Sequence, residues 1–291
     1  MNYKAYNNLI ARARDKSEPW RVACVIVGFM VAAFVGMFVY VVLFSVWMGE
    51  NWVGQAQSYG SQPAQVVFLL LGFGVYWLAL LPIIGVLQGR GLFDLTGPRN
   101  ECTLQFLYAL RGAFPVIVLF AMLFLVFEDV NRNLEFATWV YLLPVSLTLI
   151  LLQTGAEELV FRGYLQSQIA AWGAPRWVWM LLPSVLFGLG HYNTDIFGDA
   201  AIWIVIWATI FGLLAADLTA RAGTLGPAIA FHFINNCFAF LILGFPDYMG
   251  GLALYVTDAA ARDLQYTLSR LPIELIATIM LYISVRIGIR R

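Results

Sequence analysis

The chain has 291 residues, of which 61% are hydrophobic and only 12% charged, and its 17 basic and 17 acidic side chains leave no formal net charge. Soluble domains carry roughly 25% charged residues, so composition excludes an ordinary soluble protein. The lipid bilayer is the expected surrounding and no nucleic-acid partner is expected, although the zero net charge by itself says nothing about nucleic-acid or acidic partners.

A helix that crosses a bilayer needs about 20 mostly apolar residues. Eight runs qualify, near 22–48, 64–88, 105–127, 138–160, 177–192, 200–220, 225–245 and 271–289. The expected fold class is therefore all-α: a polytopic membrane helix bundle of about eight transmembrane helices. The fifth run is short, and the fourth continues as a helix past its apolar part. Residues 1–21 are expected to form a cytoplasmic N-terminal tail, basic from Leu9 to Arg21, and residues 22–291 a single membrane domain. The first run lacks a small-x-small exit and reads as a retained helix rather than a cleaved signal peptide. With eight crossings and the N-terminus inside, all but Arg132, Arg262 and Arg270 of the 17 Lys and Arg residues fall on the cytoplasmic side. That asymmetry places both termini in the cytoplasm. With no targeting or retention signal in view, a bacterial inner membrane is the expected location.

Between the runs, Gly89–Thr103 carries a Gly97-Pro98 turn signal. Pro246–Arg270 is expected on the outer face, with helical character around Asp258, Arg262 and Asp263. Trp20, Trp47, Trp52, Trp172 and Trp177 fall near span ends, as interfacial anchors do. Gly188, Gly190 and Gly212 would let helices approach closely. Cys24, Cys102 and Cys237 are scattered and outline neither a disulfide framework nor a metal cluster. No internal repeat is visible, which argues against a transporter built from inverted repeats.

Ionisable groups at membrane depth are costly and usually face a protein interior or a wet cavity. Three polar clusters interrupt the apolar runs: Glu157-Glu158-Leu-Val-Phe-Arg162, Phe187-Gly-Leu-Gly-His191 and His232-Phe-Ile-Asn-Asn236, which contain both histidines of the chain. Residues four apart share a helix face, so Glu158 can pair with Arg162 and hold the helix locally. Glu157, about 100° away around the helix, is left to project into a cavity. By the same spacing the Phe187 ring packs beside His191, and His232 lies beside Asn236. Each cluster alone also suits a plain role: an interfacial charge cluster, an interfacial histidine, or a hydrogen-bonded pair joining helices. If the fourth helix runs to about Trp172, turns at Gly173–Pro175 and returns from Arg176, Glu157 and His191 face each other across a hairpin. All three clusters then converge in the cytoplasmic half of the membrane. A carboxylate near an imidazole can take a proton from water and direct it at a carbonyl. An imidazole and a carboxamide on another helix could donate hydrogen bonds to the developing oxyanion. No nucleophilic serine or cysteine with its own base is evident, and the His-Glu-x-x-His zinc-protease signature is absent.

Glu157-Glu158-x-x-x-Arg162, Phe187-x-x-x-His191 and His232-x-x-x-Asn236, in that order over about residues 138–245, resemble the three motifs of the type II CAAX prenyl endopeptidases. That family is also called CPBP, for CAAX proteases and bacteriocin-processing enzymes. The resemblance implies an intramembrane endopeptidase, a hydrolase acting on a membrane-associated or lipidated peptide or protein. It further implies Glu157 as general base sharing the attacking water with His191, His232 and Asn236 as the pair that stabilises the oxyanion, and Glu158, Arg162 and Phe187 as supporting residues. The cofactor stays open. Glu157, His191 and His232 could hold Zn²⁺ with one open position, as in an intramembrane metalloprotease, and the same atoms suit a metal-free route. Two other readings stand beside this one: a non-catalytic membrane scaffold or partner-binding protein with the same fold, and a proton-coupled transporter using Glu157 and His191 as a relay. The oligomeric state is not legible.

Overall fold

The structure is a computed structural model and describes residues 3–290; Met1, Asn2 and Arg291, which belong to the expected tail and C-terminus, lie outside the described residues. It is 81% helical. Helices α1 (Asn7–Arg14), α2 (Pro19–Met48), α3 (Glu50–Ser58), α4 (Pro63–Gly72), α5 (Gly74–Gln88), α6 (Leu92–Thr96) and α7 (Arg99–Phe127) lead into strand β1 (Val130–Arg132). Helix α8 (Phe136–Glu158) passes through π-helical turns at Leu159–Gln166 into α9 (Ser167–Ala171). Then come α10 (Arg176–Leu189), α11 (Thr194–Phe197), α12 (Ala201–Ala222) and α13 (Gly226–Cys237). More π-helical turns at Phe238–Ile242 precede β2 (Leu243–Gly244), β3 (Tyr255–Thr257) and α14 (Leu264–Gly288).

Six helical stretches are long and apolar enough to cross a membrane: Pro19–Met48, Pro63–Gln88, Arg99–Phe127, Phe136–Ala171, Thr194–Ala222 and Leu264–Gly288. The chain is an integral membrane protein. Two of the eight expected runs are shorter, Arg176–Leu189 and Gly226–Ile242. At about 1.5 Å per residue a 14-residue helix reaches about 21 Å, less than the roughly 30 Å hydrocarbon core. These two short helices carry the second and third polar clusters. The expected hairpin after the fourth run is present: Trp172 caps α9, Gly173 turns the chain at φ +78°, and α10 begins at Arg176.

Three features differ from the sequence expectation. The N-terminal tail is folded rather than trailing: α1 buries Leu9 and Ala13, and Tyr6, Ala170 and Trp179 join the same apolar cluster. The fold is not wholly helical, because β1 pairs antiparallel with β3, and β3 pairs parallel with β2. The 258–263 segment is irregular, its backbone engaged by side chains such as Asp247 on the Ala261 amide, and the helix starts only at Leu264, capped by Asp263. The two termini meet at one end of the bundle, where Tyr3 and Tyr282 both donate to the Asp217 carboxylate at 2.6 Å.

Lipid-facing and protein-facing surfaces are cleanly divided. Val27, Met30, Val31, Phe34, Val35 and Phe38 of α2 are exposed, an apolar patch too large for a protein in water. The central cluster joins α7, α10, α12, α13 and α14 through Ala109, Phe187, Phe211, Phe231 and Leu281, with the Phe211 and Phe231 rings stacked 4.4 Å apart. Small residues set the spacing between α10 and α12. A Cβ at Gly188 would lie 2.1 Å from Thr209 Oγ1 and 2.7 Å from the Val205 carbonyl, whereas at Gly190 its nearest neighbour is the Phe187 carbonyl of its own helix at 3.3 Å. Gly188 fulfils the expected close approach and Gly190 does not; Gly212 of α12 fulfils it as well, since a Cβ there would lie 3.1 Å from Ser184 Cα. Gly188→Ala should therefore lower stability by about 1–3 kcal/mol, the usual cost of overpacking, and Gly190→Ala by clearly less. Thermal unfolding of the two variants in detergent measures the difference.

Candidate active site

Gln153 and Glu157 lie one turn apart on α8, and His232 and Asn236 lie one turn apart on α13. Glu157 Oε2 stands 3.4 Å from His232 Nε2, and Asn236 Nδ2 donates to Gln153 Oε1 at 2.8 Å. Those two contacts fix the register: α8 and α13 run antiparallel here, with the two polar pairs stacked one turn apart. Polar side chains at matched spacing on two apolar helices find their lowest energy against each other, since lipid offers no hydrogen bonds.

The adjacent glutamates differ sharply. Glu158 is fully buried, and its Oε1 accepts from Arg162 Nη1 at 3.1 Å while facing His232 Nδ1 at 2.9 Å. Its role is wider than the local helix pairing expected from sequence, because it also orients the imidazole. Glu157 keeps 16% of its side chain exposed. Its Oε2 has no hydrogen-bond partner among the described residues, and 3.4 Å to His232 is an electrostatic contact longer than a good hydrogen bond. The Oε2 atoms of both glutamates lack a hydrogen-bond partner among the described residues, so the difference lies in burial and in the two partners that Glu158 Oε1 holds.

Arg162 sits within the π-helical turns and is fully buried. Its guanidinium carbon lies 4.5 Å from the centroid of the Phe187 ring. Gly212 of α12 makes room for it, since a Cβ there would stand 3.0 Å from Nη2. Interruptions of this kind in α-helices concentrate at functional sites, and two of the three motif-bearing helices, α8 and α13, continue into one.

His191 lies beyond the last residue of α10, on a turn, so it does not meet Glu157 directly as the hairpin picture had it. Its Nδ1 lies 2.8 Å from the Phe187 carbonyl. A carbonyl only accepts, so Nδ1 carries the hydrogen and Nε2 of the neutral ring keeps its lone pair. The Phe187 ring links the two imidazoles, 4.7 Å from the His191 ring and 5.8 Å from the His232 ring, and Phe211 flanks His232 at 5.1 Å. The chain between β2 and β3 approaches from the other side. Tyr248 packs edge-on against Phe197 at 5.3 Å, and burial first, then the Glu157 carboxylate, raises its phenol above the ordinary range.

The residues gathered here do not suit a metal ion in this arrangement. His191 Nε2 keeps a lone pair that could ligate, but no three His, Cys, Asp or Glu side chains converge at ligand spacing among the described residues.

Sequence reasoning missed Gln153 and Phe211. For Gln153 the signal was present: it stands four residues before Glu157 in an apolar run, on the face of the helix that Glu157 occupies. For Phe211 there was none, because its neighbourhood is set by tertiary packing alone.

Residues 136–238 match the family model described as type II CAAX prenyl endopeptidase Rce1-like. The matched stretch runs from the start of α8 to just past α13 and contains all three motifs and Gln153. The uncharacterized protein YyaK of Bacillus subtilis (strain 168) is 29% identical over 117 residues, 40% of this chain. The chain covers 39% of the length of that relative. No solved structure matches the chain.

Removing one partner of a buried ion pair strands the other charge, at about 3–5 kcal/mol. Arg162→Met should therefore destabilise the protein by an amount of that order. Glu157→Gln, at a carboxylate that holds no hydrogen bond, should stay within about 1 kcal/mol of wild type. Denaturant titration in mixed micelles reads both.

Proposed function

We propose that this protein is a CAAX-protease-like intramembrane endopeptidase that hydrolyses a peptide bond in a membrane-associated or lipidated peptide or protein substrate. The observation that carries the reading is the contrast at the heart of the site: Glu158 is fully buried with its Oε1 engaged by both Arg162 and His232, while Glu157 is partly exposed and faces the same imidazole with no hydrogen bond to its Oε2. A carboxylate held in place but not consumed by structure is what a general base requires. The match of residues 136–238 to the endopeptidase family supports it.

In this reading a water donates one hydrogen to Glu157 and the other to the lone pair of His191 Nε2. As its oxygen bonds to the scissile carbonyl carbon, one proton passes to Glu157 and the carbonyl π pair moves onto oxygen. Asn236 Nδ2–H and His232 Nε2–H stabilise that oxyanion. A His232 ring whose Nδ1 faces the Glu158 carboxylate keeps a hydrogen there, so donation from Nε2 requires the doubly protonated ring. Glu157 and Glu158 supply its counter-charges. The C–N bond then breaks, the leaving nitrogen takes the proton held by Glu157, and an acid and an amine result. Eight membrane segments, both termini in the cytoplasm, a bacterial inner membrane and a cavity in the cytoplasmic half complete the proposal.

The test is cleavage of a fluorogenic peptide library, lipidated and unlipidated, by detergent-purified protein. Wild type should cut at least one member. Glu157→Ala and His232→Ala should each lower kcat by at least about 10²-fold, within the usual range for an acid–base group or an oxyanion donor. Cleavage that survives both substitutions would reject the assignment. No cleavage by wild type, with all three proteins equally folded, would favour a binding role.

A further inference from the structure

Gln153 is only 5% exposed and lies on a helix that is otherwise apolar for most of its length. A carboxamide buried at membrane depth is costly unless its polar atoms are engaged. Its Oε1 accepts from Asn236 Nδ2 at 2.8 Å, while Asn236 Oδ1 accepts from Asn235 Nδ2 at 3.2 Å. An asparagine side chain offers two N–H hydrogens and one oxygen. Here the oxygen is taken by Asn235 and one hydrogen by Gln153, which leaves the second Nδ2 hydrogen.

We infer that Gln153 is a positioning residue for the oxyanion: it holds the Asn236 carboxamide with nitrogen, not oxygen, toward the reacting carbonyl. The inference rests on the peptidase reading above and goes beyond it by assigning a residue outside the three motifs. The two ends of a carboxamide are nearly the same size, and the terminal torsion that exchanges them is soft and roughly two-fold. Shape alone therefore does not select the donor end. The Gln153 oxygen on the neighbouring helix, which accepts from Asn236 Nδ2, does. Without it, Asn236 can turn its oxygen to the developing negative charge, which repels it.

A purely structural role for the Gln153–Asn236 bond would be to hold α8 against α13. That task is shared by Glu158 with His232 and by Trp139, whose indole N–H donates to the Leu241 carbonyl at 2.8 Å from the same helix. The two roles make different kinetic predictions.

Gln153→Met keeps the length and apolar bulk of the side chain and removes the acceptor. Its effect is measured on a library peptide that wild type cuts, with and without Asn236→Ala in the same chain. In the wild-type background kcat should fall about tenfold or more, approaching the 10²–10³-fold loss of an oxyanion donor, with KM changed less than about twofold. In the Asn236→Ala background the same change should alter kcat less than about twofold, because no amide remains to orient. An equal fall in both backgrounds, or a rise in KM with kcat unchanged, overturns the inference and leaves the peptidase reading standing. A wild type that cuts no peptide overturns that reading and this inference with it. Should Gln153→Met fail to fold, Gln153→Leu in the same two backgrounds gives the same decision.

Discussion

A single carboxylate oxygen, Glu158 Oε1, organises the site. It accepts from Arg162 one turn ahead and faces the imidazole of His232, 74 residues further along the chain. The group is fully buried, so its charge has no water to screen it and must be matched by protein. The demand runs outward from there. Arg162 needs its own space, which Gly212 leaves and the Phe187 face lines. Phe187 in turn stands between the two histidines. Three clusters far apart in sequence become one neighbourhood because each answers the desolvation of another.

Helix length does the rest of the positioning. A helix that crosses the bilayer puts its ends in water or headgroups, a poor place to hold a shaped polar site. Helices α10 and α13 are shorter than the six long spans; His232 and Asn236 on α13 are buried within the bundle, and His191 just past α10 is half-buried. Non-helical backbone at that depth is tolerated where protein buries it or a cavity receives it. The π-helical turns after Glu158 and after Cys237, which continue two of the three motif-bearing helices, lie next to the site. Rigid helices bring the groups close, and the irregular turns adjust their aim.

Much of this was legible beforehand. Apolar run length gave the six helices long enough to cross a membrane, and the spacing of Glu158 and Arg162 gave their pairing, because both follow from one helix in one environment. The turn at Gly173 was marked by a glycine next to an Ala-Pro pair. What sequence left out depends on two segments at once. Opposing Glu157 to His232 rather than His191 follows from the end of α10 at Leu189 and from the register of α8 against α13, neither encoded by a single periodicity. The small sheet was hidden for a similar reason: β2 has two residues and β1 and β3 three each, and they pair only because β1 and the chain between α13 and α14 meet at one end of the bundle. The folded N-terminal segment was disguised by its basic character, although Tyr6 and Leu9 bury their side chains on the same apolar cluster.

The central claim is that Glu158 holds His232, and the chain's composition makes it directly measurable, since only two histidines are present. Protein labelled with ¹⁵N at histidine and ¹³C at the glutamate carboxyl carbon can be examined by solid-state NMR dipolar recoupling in lipid. His191→Gln assigns the two rings. The account predicts strong dephasing of the His232 Nδ1 signal by a glutamate carboxyl carbon, lost in Glu158→Gln, with His191 Nδ1 unaffected. Dephasing of His191 instead, or a His232 Nδ1 signal indifferent to Glu158→Gln, would contradict it.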